Sequence, residues 1–91
     1  MLSSACVPYL PRGVRLHVDA VRGQTVLLGP ERTLTLDAIA EAILREVDGD
    51  RSIAQIALDL SARYGAPADQ IAGDIQAMLT DLHDRWMVRC Q

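Results

Sequence analysis

Apolar and polar residues alternate with period two over Val14-Arg15-Leu16-His17-Val18-Asp19, the pattern of a strand that shows one face to a core. The short apolar segment Val26-Leu27-Leu28 follows a turn through Arg22-Gly23-Gln24, which predicts an antiparallel hairpin. Gly29-Pro30 breaks the second strand, and Arg32-Thr33-Leu34-Thr35-Leu36 alternates again as a third, with Leu34 and Leu36 facing inward. From Asp37 the period changes to that of a helix. Asp37 suits an N-cap, Ile39, Ile43, Leu44 and Val47 share one face, and Gly49 supplies a left-handed stop after about 11 residues. Ser52-Ile53-Ala54-Gln55 has the form of a capping box, and Ile53, Ile56, Ala57, Leu60 and Tyr64 make the stripe of a second helix ending at Gly65. Pro67 fits the first turn of a third helix, which carries Ile71, Ile75, Met78, Leu79 and Leu82 and runs to about His83. Trp86-Met87-Val88 is then expected to pack back over the helices.

A three-stranded meander must cover one of its faces, and three amphipathic helices each need a partner. The economical arrangement is an α+β, winged-helix-like domain: a three-stranded antiparallel sheet followed by a three-helix bundle. The predicted division is a flexible N-terminal arm over residues 1–10 and one domain over residues 11–91. At 91 residues there is no room for a second domain, and stability is expected to be modest because a chain of this size buries only about 60 to 65% of its surface. An open sheet leaves edges, and the third strand is a candidate edge able to accept another strand.

Charge narrows the functions. Arg12, Arg15, Arg22 and Arg32 against Asp19 and Glu31 make the first 36 residues basic. Residues 37–84 carry ten acids against Arg45, Arg51 and Arg63, and the whole chain has a net charge of −3. A DNA-reading third helix would need Arg, Lys, Asn or Gln in the groove, whereas this one offers Asp69, Asp74 and Asp81 and has no Arg or Lys between Ala68 and Asp84. A winged-helix DNA-binding regulator is therefore the weaker alternative, and nucleic acid is not an expected partner. Lys is absent, which removes amine-nucleophile chemistry. No apolar run reaches the roughly 18 to 20 residues that span a bilayer, and the N-terminus lacks the pattern of a secretion signal, so a cytoplasmic protein with no membrane partner is expected. Leu2-Ser3-Ser4-Ala5-Cys6 superficially resembles a lipoprotein cleavage box but has no hydrophobic segment before it, so lipidation is not expected.

Candidate chemistry is sparse. His17 and His83 are scattered, neither is linked by a motif to Ser or Cys, and no Cys or His stands at metal-ligand spacing, so neither catalysis nor a metal or other cofactor is expected. Ser52 is explained as a helix cap, since Asp50-Arg51-Ser52-Ile53 departs from the Asp-Ser-Leu of phosphopantetheine carriers. Cys6 and Cys90 read as two unpaired thiols in a reducing compartment, with a disulfide between the termini as the alternative. What remains is a binding module with an exposed strand edge, an adaptor for a peptide.

Several segments together resemble one family. Pro11-Arg12-Gly13-Val14-Arg15-Leu16, Asp19-Ala20-Val21-Arg22, Val26-Leu27-Leu28-Gly29-Pro30-Glu31-Arg32, Ile43-Leu44, Asp48-Gly49, Tyr64 and Asp74-Ile75 are similar in order to the PqqD family of pyrroloquinoline quinone biosynthesis, over roughly Pro11 to Trp86. Asp37 stands where that family often has Asn, and Arg85 where it usually has Gly before Trp86. The resemblance implies a non-enzymatic RiPP recognition element that binds the ribosomal precursor peptide PqqA. It implies presentation of that peptide to the radical S-adenosylmethionine enzyme PqqE, with any iron–sulfur cluster in the partner. In related elements the peptide adds to the third strand and lies against the third helix. Carried over, this assigns Arg32, Thr33, Leu34, Thr35 and Leu36 to backbone pairing and Gln70, Asp74, Ala77, Met78 and Asp81 to the opposite wall. Pro8 and Pro11, ahead of a short sheet, leave open a monomer or a homodimer that exchanges its N-terminal strand.

Overall fold

The computed structural model describes all residues 1–91. Its elements in chain order are β1 (Pro8–Tyr9), β2 (Arg15–Asp19), β3 (Gln24–Leu28), β4 (Thr33–Thr35), α1 (Ala38–Leu44), α2 (Ile53–Tyr64), α3 (Ala68–Asp84) and β5 (Arg89–Cys90). The expected meander is present as an antiparallel sheet in the order β2-β3-β4, followed by three helices. Asp19 closes the hairpin by accepting hydrogen bonds from the amides of Val21 and Arg22 through its carboxylate, and Gly23 occupies the left-handed region at φ 66°. Val14 and Leu16 lie against the core as the alternation requires, but Val18 is 55% exposed. Thr25, opposite Val18 on the central strand, is buried and donates its hydroxyl to the Glu41 carboxylate of α1.

Leu27 on the central strand, Leu44 on α1, Ile53 and Ile56 on α2, Ile75 and Leu79 on α3, and Val88 after it are all but fully buried and make the centre of the core. The first two helices begin with the predicted chemistry. The Asp37 carboxylate accepts from the amide of Ala40, and Ser52 and Gln55 form a reciprocal capping box. Pro67 is itself the N-cap of α3, one position earlier than expected. The first helix is shorter than the periodicity predicts. It ends at Leu44, and the amides of Glu46 and Val47 reach back only three residues, to Ile43 and Leu44. This tighter turn still brings Val47 to the core and leaves the loop to be held by Arg51. That guanidinium bonds the Glu46 carbonyl and reaches the carboxylates of Asp48 and Asp59 at 2.8 and 2.7 Å.

The chain ends differ from expectation. Cys6 and Cys90 are joined in a disulfide, with Cα atoms 5.4 Å apart, in place of the two unpaired thiols the sequence suggested. The reason is a second sheet not legible in the sequence: β1 pairs with β5, Pro8 opposite Cys90, and carries the two thiols together. Residues 1–10, expected as a flexible arm, make specific contacts. The carbonyls of Ser4, Cys6 and Pro8 accept from the amides of Ala54, Ile53 and Gly49, and the Leu2 amide donates to the Thr80 hydroxyl. Met87 and Val88 pack into the core as predicted, whereas Trp86 points away and is 72% exposed. No helix is long and apolar enough to cross a membrane.

Candidate functional site

The ladder between β3 and β4 decides which backbone groups of the edge strand are free. Partners are Val26 with Thr35, Leu27 with Leu34 and Leu28 with Thr33. Just beyond each end of β4, the Leu36 amide donates to the Thr25 carbonyl at 3.0 Å and the Gly29 amide to the Arg32 carbonyl at 2.8 Å. In an antiparallel pair, residues alternate between exchanging ladder bonds and pointing their N–H and C=O away. Arg32, Leu34 and Leu36 therefore turn their backbone groups toward β3. Thr33 and Thr35 turn theirs outward, two donors and two acceptors on a margin with no neighbouring strand. The side chains divide by the same parity: Leu34 and Leu36 pack against the core, and Thr33 and Thr35 are exposed.

The opposite wall is one flank of α3. At about 100° per residue, Gln70, Asp74, Ala77, Asp81 and Arg85 fall within roughly an 80° arc, and all five are exposed. Met78 lies between this arc and the buried Ile75, Leu79 and Leu82. It is half-buried and touches the core cluster.

Two cavities relate strand and flank. One, of about 440 Å³, is lined by Ala38, Ile39, Ala42 and Ile43 of α1, Leu60 and Tyr64 of α2, and Ile71 and Asp74 of α3. The other, of about 360 Å³, joins the β3–β4 turn at Gly29, Pro30, Glu31 and Arg32 to Arg85, Trp86 and Met87. The chain beyond one end of β4 thus shares a cavity with the first half of α3, and the chain before its other end shares one with the C-cap. The segment from Arg32 to Ala38 spans at most about 20 Å, and the helix from Asp74 to Arg85 about 16 Å. The two cavities thus lie toward opposite ends of both the strand and the flank.

Ile39, Tyr64, Arg85 and Trp86 were not among the residues expected at the site. Their signal is exposure of large side chains: Ile39 is 70% and Tyr64 65% exposed although both sit on predicted core stripes. The electrostatics are divided. Asp74 and Asp81 give the middle of the flank a negative edge, with Asp81 engaging Arg85 at 3.4 Å, while Arg32 at the strand end makes no ion pair. His17 is exposed on β2, and His83 lies 4.0 Å from Asp84 with no Ser or Cys bonded to it.

The chain is similar to known proteins over nearly its whole length. The family model for coenzyme PQQ synthesis protein D (PqqD) matches residues 24–88. A PqqA binding protein of Rhizobium meliloti is 46% identical over 88 residues, covering 97% of this chain and 90% of its own. A PqqA binding protein of Xanthomonas axonopodis is 45% identical over 82 residues, covering 90% of this chain and 89% of its own. Among solved structures, the PqqD portion of Methylobacterium extorquens PqqCD, described as a stand-alone RiPP recognition element, superposes with a TM-score of 0.85 at 45% identity over 98% of this chain and 95% of that one. PqqD of Xanthomonas campestris gives 0.62 at 42% identity, over 98% of this chain and 99% of that one.

Proposed function

The chain belongs to the PqqD family, and from that premise and its open strand margin we propose that it is a peptide chaperone. In this reading it binds the ribosomal precursor PqqA as a strand added to β4 and presents it to the radical S-adenosylmethionine enzyme PqqE. Arg32, Thr33, Leu34, Thr35 and Leu36 form the pairing edge, and Gln70, Asp74, Ala77, Met78 and Asp81 the facing wall. The observation that carries it is the outward backbone of Thr33 and Thr35 on the unpaired edge of the sheet.

Magnitudes explain why both walls are required. Four added ladder bonds contribute about 1 kcal/mol net each, while ordering the peptide costs about 1 to 2 kcal/mol per residue. Backbone pairing alone therefore leaves binding unfavourable. Met78 supplies apolar contact from a side chain that adapts to its neighbour, and the cavity lined by Ile39 and Tyr64 adds more. The chain acts by holding and positioning, with the bond-making chemistry in its partner. A ribosomal precursor is met where it is made, which puts this work in the cytoplasm. The binding unit in this reading is the monomer, because β1 is paired with β5 of the same chain.

Thr35→Pro tests strand addition. Proline removes an outward donor and places its ring on the free margin without touching the ladder to β3. Calorimetric titration with PqqA should lose measurable binding in a variant whose circular dichroism matches the parent. Unchanged affinity in that folded variant would reject the mechanism.

A further inference from the structure

Trp86 is held in a conformation that suits glycine. It follows the C-cap Arg85 of α3 with φ 65°, the only non-glycine residue in the left-handed region. The Trp86 amide bonds the His83 carbonyl at 3.0 Å and the Met87 amide bonds the Leu82 carbonyl at 2.9 Å, the paired bonds of a helix-ending reversal whose left-handed position is usually filled by Gly. A bulky side chain there is strained. Burial does not compensate, since Trp86 is 72% exposed. Arg89 covers one face of the indole at 4.6 Å, and the rest of the ring lines the 360 Å³ cavity at the start of β4.

The charges in that cavity lack partners. Arg32 makes no hydrogen bond or ion pair through its guanidinium, and Arg85 approaches Asp81 at 3.4 Å without a hydrogen bond from its terminal nitrogens. Glu31 is the one carboxylate on the lining, so with Arg89 beside the ring the cations outnumber it. Two guanidiniums and an aromatic ring on one lining suit a carboxylate whose neighbouring atoms pack on the ring. The cavity is continuous with the β4 margin through Arg32, so a strand leaving that margin at this end passes directly over it.

We infer that this cavity is a subsite for an acidic side chain of the added peptide, its carboxylate between Arg32 and Arg85 and its adjoining residue on Trp86. The inference rests on the strand-addition reading and specifies what the peptide must carry at this end of the strand.

Trp86 is the only tryptophan of the chain, so its fluorescence reports the subsite directly. Two peptides are titrated: PqqA, and PqqA with every Asp and Glu changed to Asn and Gln. Expected are a shift of emission with the first, about tenfold weaker binding of the second, and the same tenfold loss of PqqA affinity, by calorimetry, in Arg32→Gln. Arg32→Gln should lose nothing further with the neutralised peptide. Trp86→Gly and Trp86→Asn should melt no lower than the parent, because both residues tolerate the left-handed position, and should bind PqqA more weakly. Full PqqA affinity in Trp86→Gly, or equal affinity for both peptides, overturns the subsite; if Thr35→Pro still abolishes binding, strand addition stands without it. Absence of PqqA binding to the parent protein overturns both.

Discussion

Breaking the Cys6–Cys90 disulfide is the perturbation whose size follows most directly from the fold. The bond closes a loop of 84 residues, almost the whole chain. Loop-closure entropy in the unfolded state then gives about 4.5 kcal/mol of stabilisation at 25 °C. A domain of this length is stable by roughly 5 to 14 kcal/mol in total, so reduction should remove a third or more of the folding free energy. The native state retains other ties at this point, because β1 still pairs with β5 and the carbonyls of Ser4, Cys6 and Pro8 still accept from Ala54, Ile53 and Gly49. These ties keep the arm docked after reduction, which directs the effect onto the unfolded chain. If the arm instead detaches, the native state gains entropy too and the loss shrinks. Urea denaturation of the oxidised protein, the reduced protein and Cys6→Ser measures this. The midpoint should fall by the equivalent of about 3 to 4.5 kcal/mol, and the denaturant slope should rise because the open chain exposes more surface. A change under about 1 kcal/mol with an unaltered slope would show that the bond constrains neither state, and would refute the reasoning.

Other outcomes follow from individual residues. Met78→Asp should weaken PqqA binding at least tenfold (~1.4 kcal/mol) while circular dichroism stays near that of the parent, since Met78 is only half-buried; unchanged binding would remove it from the wall. Gly49→Ala should cost about 1 to 2 kcal/mol in urea unfolding, because Gly49 has φ 78° and a Cβ there would come within 3.2 Å of the Gln91 side chain and 3.5 Å of Tyr9. The Asp48 carboxyl is held down to about 2 by the amides of Asp50 and Arg51 and by the Arg51 guanidinium. Its unfolded value is about 3.9, so its stabilisation is complete above about pH 4 and disappears as pH falls through about 2. NMR titration should find that low midpoint, and Asp48→Asn should be less sensitive to acid over the same interval. Sedimentation of the oxidised protein should give one protomer mass from micromolar to millimolar concentration; a dimer would support exchange of the N-terminal strand.

Local chemistry is what the sequence determined by itself. The period-two runs around Leu16 and Leu34, the Asp37 cap, the Ser52–Gln55 box and the Gly65 stop depend on neighbours within a few residues, and the structure has each of them. The edge strand was legible for the same reason, because three strands in a meander leave margins and alternation assigns their faces. Tertiary structure decided whatever required distant segments to meet. The pairing of Pro8 with Cys90 and the disulfide beside it join residues at opposite ends of the chain, and no local pattern encodes that closure. The exposure of Ile39, Tyr64 and Trp86 is a second case. A stripe of apolar residues records which side of a helix turns inward, but only the arrangement of neighbouring helices determines how far their cover extends. Those uncovered positions line the two cavities at the ends of β4, so the part of the candidate site that the sequence missed was the part made by packing.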